Sequence, residues 1–322
     1  MFNLDCSNYV FSTGYTQLRP KLNSGFLFSI IQKDKFVNKV LNRCTGSSYP
    51  AISSKDLVDI KVNISRNIEE QNKIADFIGT IDKLLTLHKR KFEKLKQLQK
   101  SYLNESIFSE SKCVPKRRFK GFTNDWEQRE LKEIGKDYSG LSGKTKKDFG
   151  HGESLYVPYK NIFNNHIVDV NNLEKVNVES KQNKVSYGDI LFTISSEIPE
   201  EVGMSSVMGE DIENLYLNSF SFGLRPHKET HLDIIFSSYL FRTPTFRKKM
   251  YILAQGISRY NISKTNVMRL VVELPSFNEQ KKIGEILYKL ESMITLHKHK
   301  HNAIKKLQKI YLQNNLGDET YA

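Results

Sequence analysis

The sequence predicts a mixed α+β protein in which globular units are joined by two long, antiparallel coiled-coil helices, the whole built as an internal pseudo-repeat. Three observations predict it. The chain matches itself at a period of about 209 residues, both copies of one segment carry an apolar stripe stepping by threes and fours, and short β-rich runs punctuated by Gly, Asn and Pro lie between them.

The repeat is explicit in the residues. Thr86-Leu87-His88-Lys89 recurs as Thr295-Leu296-His297-Lys298, and Leu98-Gln99-Lys100 with Tyr102-Leu103 recurs as Leu307-Gln308-Lys309 with Tyr311-Leu312. Upstream, Glu70-Gln71-Asn72-Lys73-Ile74 answers to Glu279-Gln280-Lys281-Lys282-Ile283. A one-residue adjustment then aligns Gly46-Ser47-Ser48 through Ile52-Ser53 with Gly256-Ile257-Ser258 through Ile262-Ser263.

The first stripe is Ile74, Ile78, Ile81, Leu85, His88, Phe92, Leu95, Leu98 and Tyr102; the second is Ile283, Leu287, Leu290, Ile294, His297, His301, Ile304, Leu307 and Tyr311. Steps averaging about 3.5 residues are the spacing at which two helices interlock along a seam, and neither copy contains a proline. The first helix, expected over 67–110, would be about 60 Å long at 1.5 Å per residue, more than a small domain needs, which suits a spacer. The second is expected over 276–316, followed by a tail over 317–322. Ser, Pro and the basic run Lys116-Arg117-Arg118 mark a linker over 111–118.

Between the helices, 119–275 is expected to form a complete α/β globule, with strands near 154–159, 190–194 and 220–225. An amphipathic helical stretch over 232–253 would carry Arg242, Arg247, Lys248 and Lys249 on its polar side. Residues 1–66 are expected to form only part of such a globule, starting in mid-domain. That part has a helix over 25–41, a loop over 42–52 and a strand over 59–64; the counterpart of 119–216 is missing from it.

Of 322 residues, 39% are hydrophobic and 26% charged, which is globular composition rather than that of a disordered chain. Lys and Arg number 49 against 36 Asp and Glu, a formal charge of +13 that favours a polyanionic partner, nucleic acid first. Cys6, Cys44 and Cys113 are widely spaced and suggest neither a disulfide framework nor a zinc site, in keeping with a reducing cytoplasm. No stretch reads as a membrane span or a signal peptide, so no membrane partner is expected.

Candidate DNA contacts fall in four places. The Gly/Ser loop over 138–147 offers Tyr138, Ser142, Lys144, Lys146 and Lys147 to a phosphate backbone; as a P-loop it fails, because Tyr138 occupies the position of the first glycine. Tyr159, Lys160 and Asn161, and Ser195, Ser196 and Glu197, follow strands, where polar side chains can meet base edges. Arg259, Tyr260 and Asn261 precede the second long helix, with Arg259 suited to a bidentate pair with guanine. Their first-copy counterparts are Ser48 and Tyr49, with Arg43 nearby. His297, His299 and His301 resemble a metal cluster, but His299 lies off the face that the other two share, and packing is the preferred reading. Methyltransferase tetrapeptides of the Asn-Pro-Pro-Tyr kind, a glycine-rich cofactor loop and a nuclease carboxylate cluster are all missing, so neither catalysis nor a cofactor is expected of this chain.

Over almost its whole length the chain resembles the specificity subunits of type I restriction-modification systems. The carriers are Phe119-Lys120-Gly121-Phe122-Thr123-Asn124-Asp125-Trp126-Glu127-Gln128-Arg129, Asn278-Glu279-Gln280 with Ile283, Gly256 with Ile262-Ser263, and the Leu-Gln-Lys-x-Tyr-Leu helix ends. The resemblance implies target-recognition domains alternating with long helices, 1–66 being a partial first domain and 119–275 a complete second, each reading one half of an interrupted site in double-stranded DNA. It implies a non-catalytic subunit on which two methyltransferase subunits carrying S-adenosylmethionine dock, restriction subunits joining through them. The shortened first domain also admits a truncated or recombined subunit that works only as a homodimer or is inactive. Readings from other classes are a fused enzyme and a coiled-coil scaffold without DNA binding.

Overall fold

A computed structural model describes residue 12 and residues 14–107 and 115–314. Cys6, Cys113, part of the expected linker and the 317–322 tail lie outside the described residues. In chain order the elements are α1 (Ser24–Ile31), α2 (Asp34–Leu41), α3 (Ser54–Val58), α4 (Ile68–Ser106), β1 (Glu127–Glu130), α5 (Leu131–Ile134), β2 (Gly135–Ser139), β3 (Phe149–Val157), α6 (Tyr159–Asn164), β4 (Glu174–Val176) and β5 (Ile190–Thr193). There follow β6 (Ser195–Ser196), β7 (Ser205–Val207), β8 (Leu215–Leu217), β9 (Ser221–Pro226), α7 (Ile234–Leu240), α8 (Pro244–Ile252), β10 (Tyr260–Asn261), α9 (Lys264–Val267), β11 (Val271–Leu274) and α10 (Phe277–Asn314). The chain forms two compact units, one of residues up to Lys96 with those from Met293 onward, the other from Gln97 to Ser292, and each long helix contributes to both. No described helix is long and apolar enough to cross a membrane.

In the first unit the seam forms. Ile74, Ile78 and Ile81 of α4 are buried with Leu312 of α10 and with Phe26 and Ile30 of α1; Leu85, Ile304 and Tyr311 pack around them. The helices are antiparallel: Phe77 meets Tyr311 at 4.5 Å between ring centroids, Gln308 Nε2 donates to Asp82 at 2.7 Å, and His88 Nδ1 lies 2.9 Å from His297 Nδ1. His88 and His297 are the same position of the two repeats, 209 residues apart, so the local two-fold relating the helices passes between their rings. Leu98 and Leu307 leave the seam, 50% and 63% exposed, while Gln308 turns in. A polar residue that can reach Asp82 satisfies that position, whereas the leucines' side chains stand on the outer face.

The His88 ring is held below its ordinary pKa by burial, by His297, and then by Lys300, Lys91 and His301. The short Nδ1 contact needs one of the two nitrogens without a proton, so the two rings cannot both be charged and keep it. The unfolded chain therefore takes up this proton first as pH falls below about 6.5, and stability is withdrawn from there down through the lower folded value. The melting midpoint should fall less between pH 7.5 and 5 in His88→Gln than in the parent; identical slopes in the two would refute the assignment.

The repeat extends to how a neighbouring helix is fastened to each long one. In the first unit Asn23 caps α1 by accepting from Phe26 N–H, while its own N–H donates to Gln71 Oε1 and the Gln71 amide donates to the Ser65 carbonyl. In the second, Asp233 caps α7 through Phe236 N–H, its N–H donates to Gln280 Oε1, and Gln280 donates to the Pro275 carbonyl. Close approach is obtained by opposite means: a Cβ on Gly25 would lie 3.0 Å from the Ala75 Cβ, and one on Gly284 would lie 3.2 Å from the Ile235 Cβ. The glutamates that precede the two fastening glutamines are used differently. Glu279, 1% exposed, takes a bidentate pair from Arg118 at 2.9 and 2.7 Å, whereas Glu70 is exposed and accepts from the Ser65 hydroxyl.

Two expectations for 1–66 are corrected. The helix over 25–41 is broken into α1 and α2 at Gln32-Lys33, and no strand forms over 59–64. Its counterpart β11 pairs with β1, from Glu127↔Leu274 to Glu130↔Val271; no strand lies beside 59–64 among the described residues, and an extended segment without a ladder partner is not a strand.

The second unit carries a four-stranded antiparallel sheet ordered β2-β9-β5-β7, a three-stranded sheet β4-β3-β8, and two small ladders. Phe192 is stacked on Phe222 and edge-on to Phe241, with Phe246 closing the cluster. The stretch 232–253 is two helices separated before Pro244, and its arginines turn inward. Arg242 donates to the carbonyls of Ser205, Ile162, Phe163 and Asn165, and Arg247 to those of Gly203, Glu200 and Val202. Carbonyls in the turns over 162–165 and 200–205 need donors that no ladder supplies, and a guanidinium has five.

Candidate nucleic-acid interface

In the four-stranded sheet β2 and β5 end where β9 and β7 begin: Ser139 lies opposite Phe222, Thr193 opposite Ser221 and Phe192 opposite Ser205. Antiparallel pairing therefore delivers the loop after β2, the segment after β5 and the residues before β9 to one end of the sheet. Further links close the group. Ile194 N–H donates to the Phe220 carbonyl, Ile262 N–H donates to that of Ile194, and β10 pairs with β6 as Tyr260↔Ser196 and Asn261↔Ser195.

The hairpin carrying β10 is tied at its base by reciprocal bonds between Gln255 and Asn261 of 2.9 and 2.8 Å. Gly256, at φ 137°, makes the turn; a Cβ there would lie 2.1 Å from the Arg259 carbonyl oxygen. The first unit repeats the hairpin with Thr45 and Ala51 bonded at 2.9 Å each way around Gly46, at φ 97°. Its tip exposes Ser48 and Tyr49, the latter 90% exposed. Arg43 is occupied otherwise, donating to the Asp56 carbonyl at 2.8 Å and so holding α3.

Three of the sequence-nominated groups in the second unit thus meet. Tyr159 hydroxyl donates to the Ser195 carbonyl at 2.7 Å, and Arg259 reaches the Ser195 hydroxyl at 3.3 Å while its guanidinium sits 5.8 Å from the centre of the Phe220 ring. Ser195 is itself buried and acts as a hub; Ser196 accepts the Ile198 N–H, and Glu197 is exposed. Lys160, Tyr260 and Asn261 border the group, Lys160 and Asn261 exposed.

Two nominated residues are corrected. Tyr138 points into the unit: its hydroxyl donates to Asp189 at 2.7 Å, its ring fills the space left by Gly223, and burial drives its phenol well above the ordinary range. Asp189, wholly buried, is held further by Arg225 at 2.9 and 2.7 Å, so this cluster is structural. Asn161 is also turned inward, donating to the Asp169 and Asn172 carbonyls and accepting from Asp169 N–H. In the loop after β2, Ser142 is bound to Gln182 and Lys144 lies 3.8 Å from Asp148, whose carboxyl the Thr145 N–H and hydroxyl hold below its usual range. Lys146 and Lys147 are exposed.

Phe220, Lys264 and Ile257 belong to this end of the sheet and were not nominated. Lys264 bridges to Asp137 at 2.7 Å and to the Ser139 hydroxyl at 3.2 Å. Only Ile257 left a trace in the sequence, an isoleucine directly after glycine in an otherwise polar loop. Among the described residues no group of three or more His, Cys, Asp or Glu could hold a metal, and His297 is engaged by His88.

The family model for the type I restriction modification DNA specificity domain matches residues 2–97 and 123–306. The type I restriction enzyme MjaVIII specificity subunit of Methanocaldococcus jannaschii is 24% identical over 294 residues, 88% of this chain; the chain spans 66% of that relative's length, just under two thirds. Among solved structures, the type I restriction-modification S subunit from M. genitalium superposes with a TM-score of 0.57 at 16% identity, over 93% of this chain and 74% of that one. The HsdS subunit from Thermoanaerobacter tengcongensis gives 0.55 at 18% identity, over 92% and 70%.

Proposed function

Because the chain belongs to the type I restriction-modification DNA specificity family, we propose that it supplies sequence recognition to a type I restriction-modification enzyme and does no chemistry itself. The observation that carries this reading is the convergence of the 255–261 hairpin, β6 and Phe220 on one end of the four-stranded sheet, with Arg259 and Lys160 exposed there. Lysines on phosphates would set register, while Arg259 and the polar groups beside it would meet base edges. The matching hairpin with Tyr49 at its tip is the counterpart reader, which makes the target bipartite.

Methyltransferase subunits, holding the S-adenosylmethionine, would dock on the long helices, and restriction subunits would join through them, in the cytoplasm. Support comes from the outer faces of the helices in the first unit. Leu84 and Leu87 are 41% and 45% exposed, and their repeat equivalents Met293 and Leu296 are 46% and 49% exposed. Paired surfaces of this kind fit two copies of one partner.

Titration of the purified chain with duplex DNA tests the reading. Affinity should fall linearly on a log–log plot as salt rises, and Arg259→Ala should weaken binding to the preferred duplex by about tenfold or more. A scaffold that ignores DNA would show neither.

A further inference from the structure

Ile257 is 95% exposed, the most exposed large apolar residue of the described chain, and it stands at the turn of the hairpin that carries β10. Its hairpin is tied three ways: Gln255 to Asn261 at the base, β10 to β6 along its side, and Ile262 N–H to the Ile194 carbonyl below. Such a tip cannot fold back to bury its side chain, so the isoleucine is held in water by the structure around it. The neighbouring surface is equally unusual. Phe220, 56% exposed, lies under the Arg259 guanidinium, and Ile198, 49% exposed, lies in the loop after β6. In the repeated hairpin of the first unit the equivalent of Ile257 is Ser47, so the fold of the hairpin does not require an apolar tip.

We propose that Ile257 is an apolar wedge that enters a base step of duplex DNA, a contact resting on the DNA-recognition reading above and extending it to a residue that makes no hydrogen bond. Proteins that kink DNA do so with isoleucine, leucine, phenylalanine or methionine that unstacks one base step, set beside a cation that reads the groove. Arg259, two residues away on the same tip, is the cation, and Phe220 offers a ring to a base edge or sugar exposed by the opening. DNA is favoured over a protein partner because the exposed Arg259 shares the tip with Ile257 and the exposed Lys160 follows Tyr159, whose hydroxyl binds the same Ser195 that Arg259 reaches. The step entered would be one that unstacks readily, such as a pyrimidine–purine step, so the wedge adds sequence preference through deformability.

The test uses the full chain and a duplex enriched from a random pool, with 2-aminopurine placed at successive positions of the enriched site. The parent should brighten the probe at one step. Ile257→Ser should abolish that signal and weaken binding roughly tenfold or more, with the salt slope unchanged because no phosphate contact is lost. Ile257→Leu should keep both. Ile257→Ser that binds and brightens like the parent would overturn the wedge while leaving DNA recognition standing, whereas a parent with no salt-dependent DNA binding would overturn the recognition reading itself. A lowered melting midpoint for Ile257→Ser, or a dimer that this substitution dissolves, would assign the isoleucine to packing or self-association and also overturn the wedge.

Discussion

Replacing Arg118 with alanine is expected to destabilise the unit formed by residues 97–292 by about 3–5 kcal/mol, the cost of leaving a buried carboxylate uncompensated. Glu279 is 1% exposed and Arg118 12%, and the guanidinium makes two short bonds to the one carboxylate, so Arg118 supplies the only ion pair of Glu279 among the described residues. The loss follows from removing one partner, not from the net worth of the pair. Arg118→Ala combined with Glu279→Gln should therefore recover much of the loss, because a neutral amide is far cheaper to bury than a lone carboxylate. Urea unfolding of the single and double variants measures it. A single variant within about 0.5 kcal/mol of the parent, the range of ordinary surface substitutions, would show that the pair does not hold α10.

Truncating Ile78 to alanine should cost about 2–5 kcal/mol in the other unit, the range for emptying a packed aliphatic position. Ile78 is 2% exposed in the cluster shared by α1, α4 and the end of α10, where it is walled by branched and aromatic neighbours that cannot relax far. Leu87→Ala, on the outer face of the same helix at 45% exposure, is the control and should stay within about 0.5 kcal/mol. Equal losses at the two positions would mean that the α4–α10 seam does not lie on the Ile74, Ile78 and Ile81 face.

That seam was legible because one period ran through both repeats: Ile74, Ile78, Ile81 and Tyr102, and Ile283, Leu287, Leu290 and Ile294, are all buried. The pattern misled at Leu98 and Leu307, where apolar identity suggested the inner face. The buried position is taken instead by Gln308, whose amide has Asp82 to bind. Arg118 and Glu279 are 161 residues apart, and no local pattern joins them. The site was legible as a set of segments but not as individual contacts. Ser195, Tyr159 and Arg259 were nominated separately; the β6–β10 ladder brings the Arg259 hairpin to Ser195, and the Tyr159 hydroxyl reaches it from α6. Tyr138 and Asn161 were misread because loop residues that satisfy backbone or buried carboxylate groups have the same composition as residues that face a ligand. Phe220 was hidden within a strand pattern, since burial of alternate residues says nothing of what happens at the first residue before the ladder begins.

The most direct test of the claim that this chain supplies the sequence recognition is to map methylated adenines in cells that carry the partner methyltransferase with and without it. The account predicts an interrupted methylated motif that is present only with the chain, and one half of which changes or disappears when residues 255–261 are replaced by 45–51. The same motif methylated in the absence of the chain would contradict it.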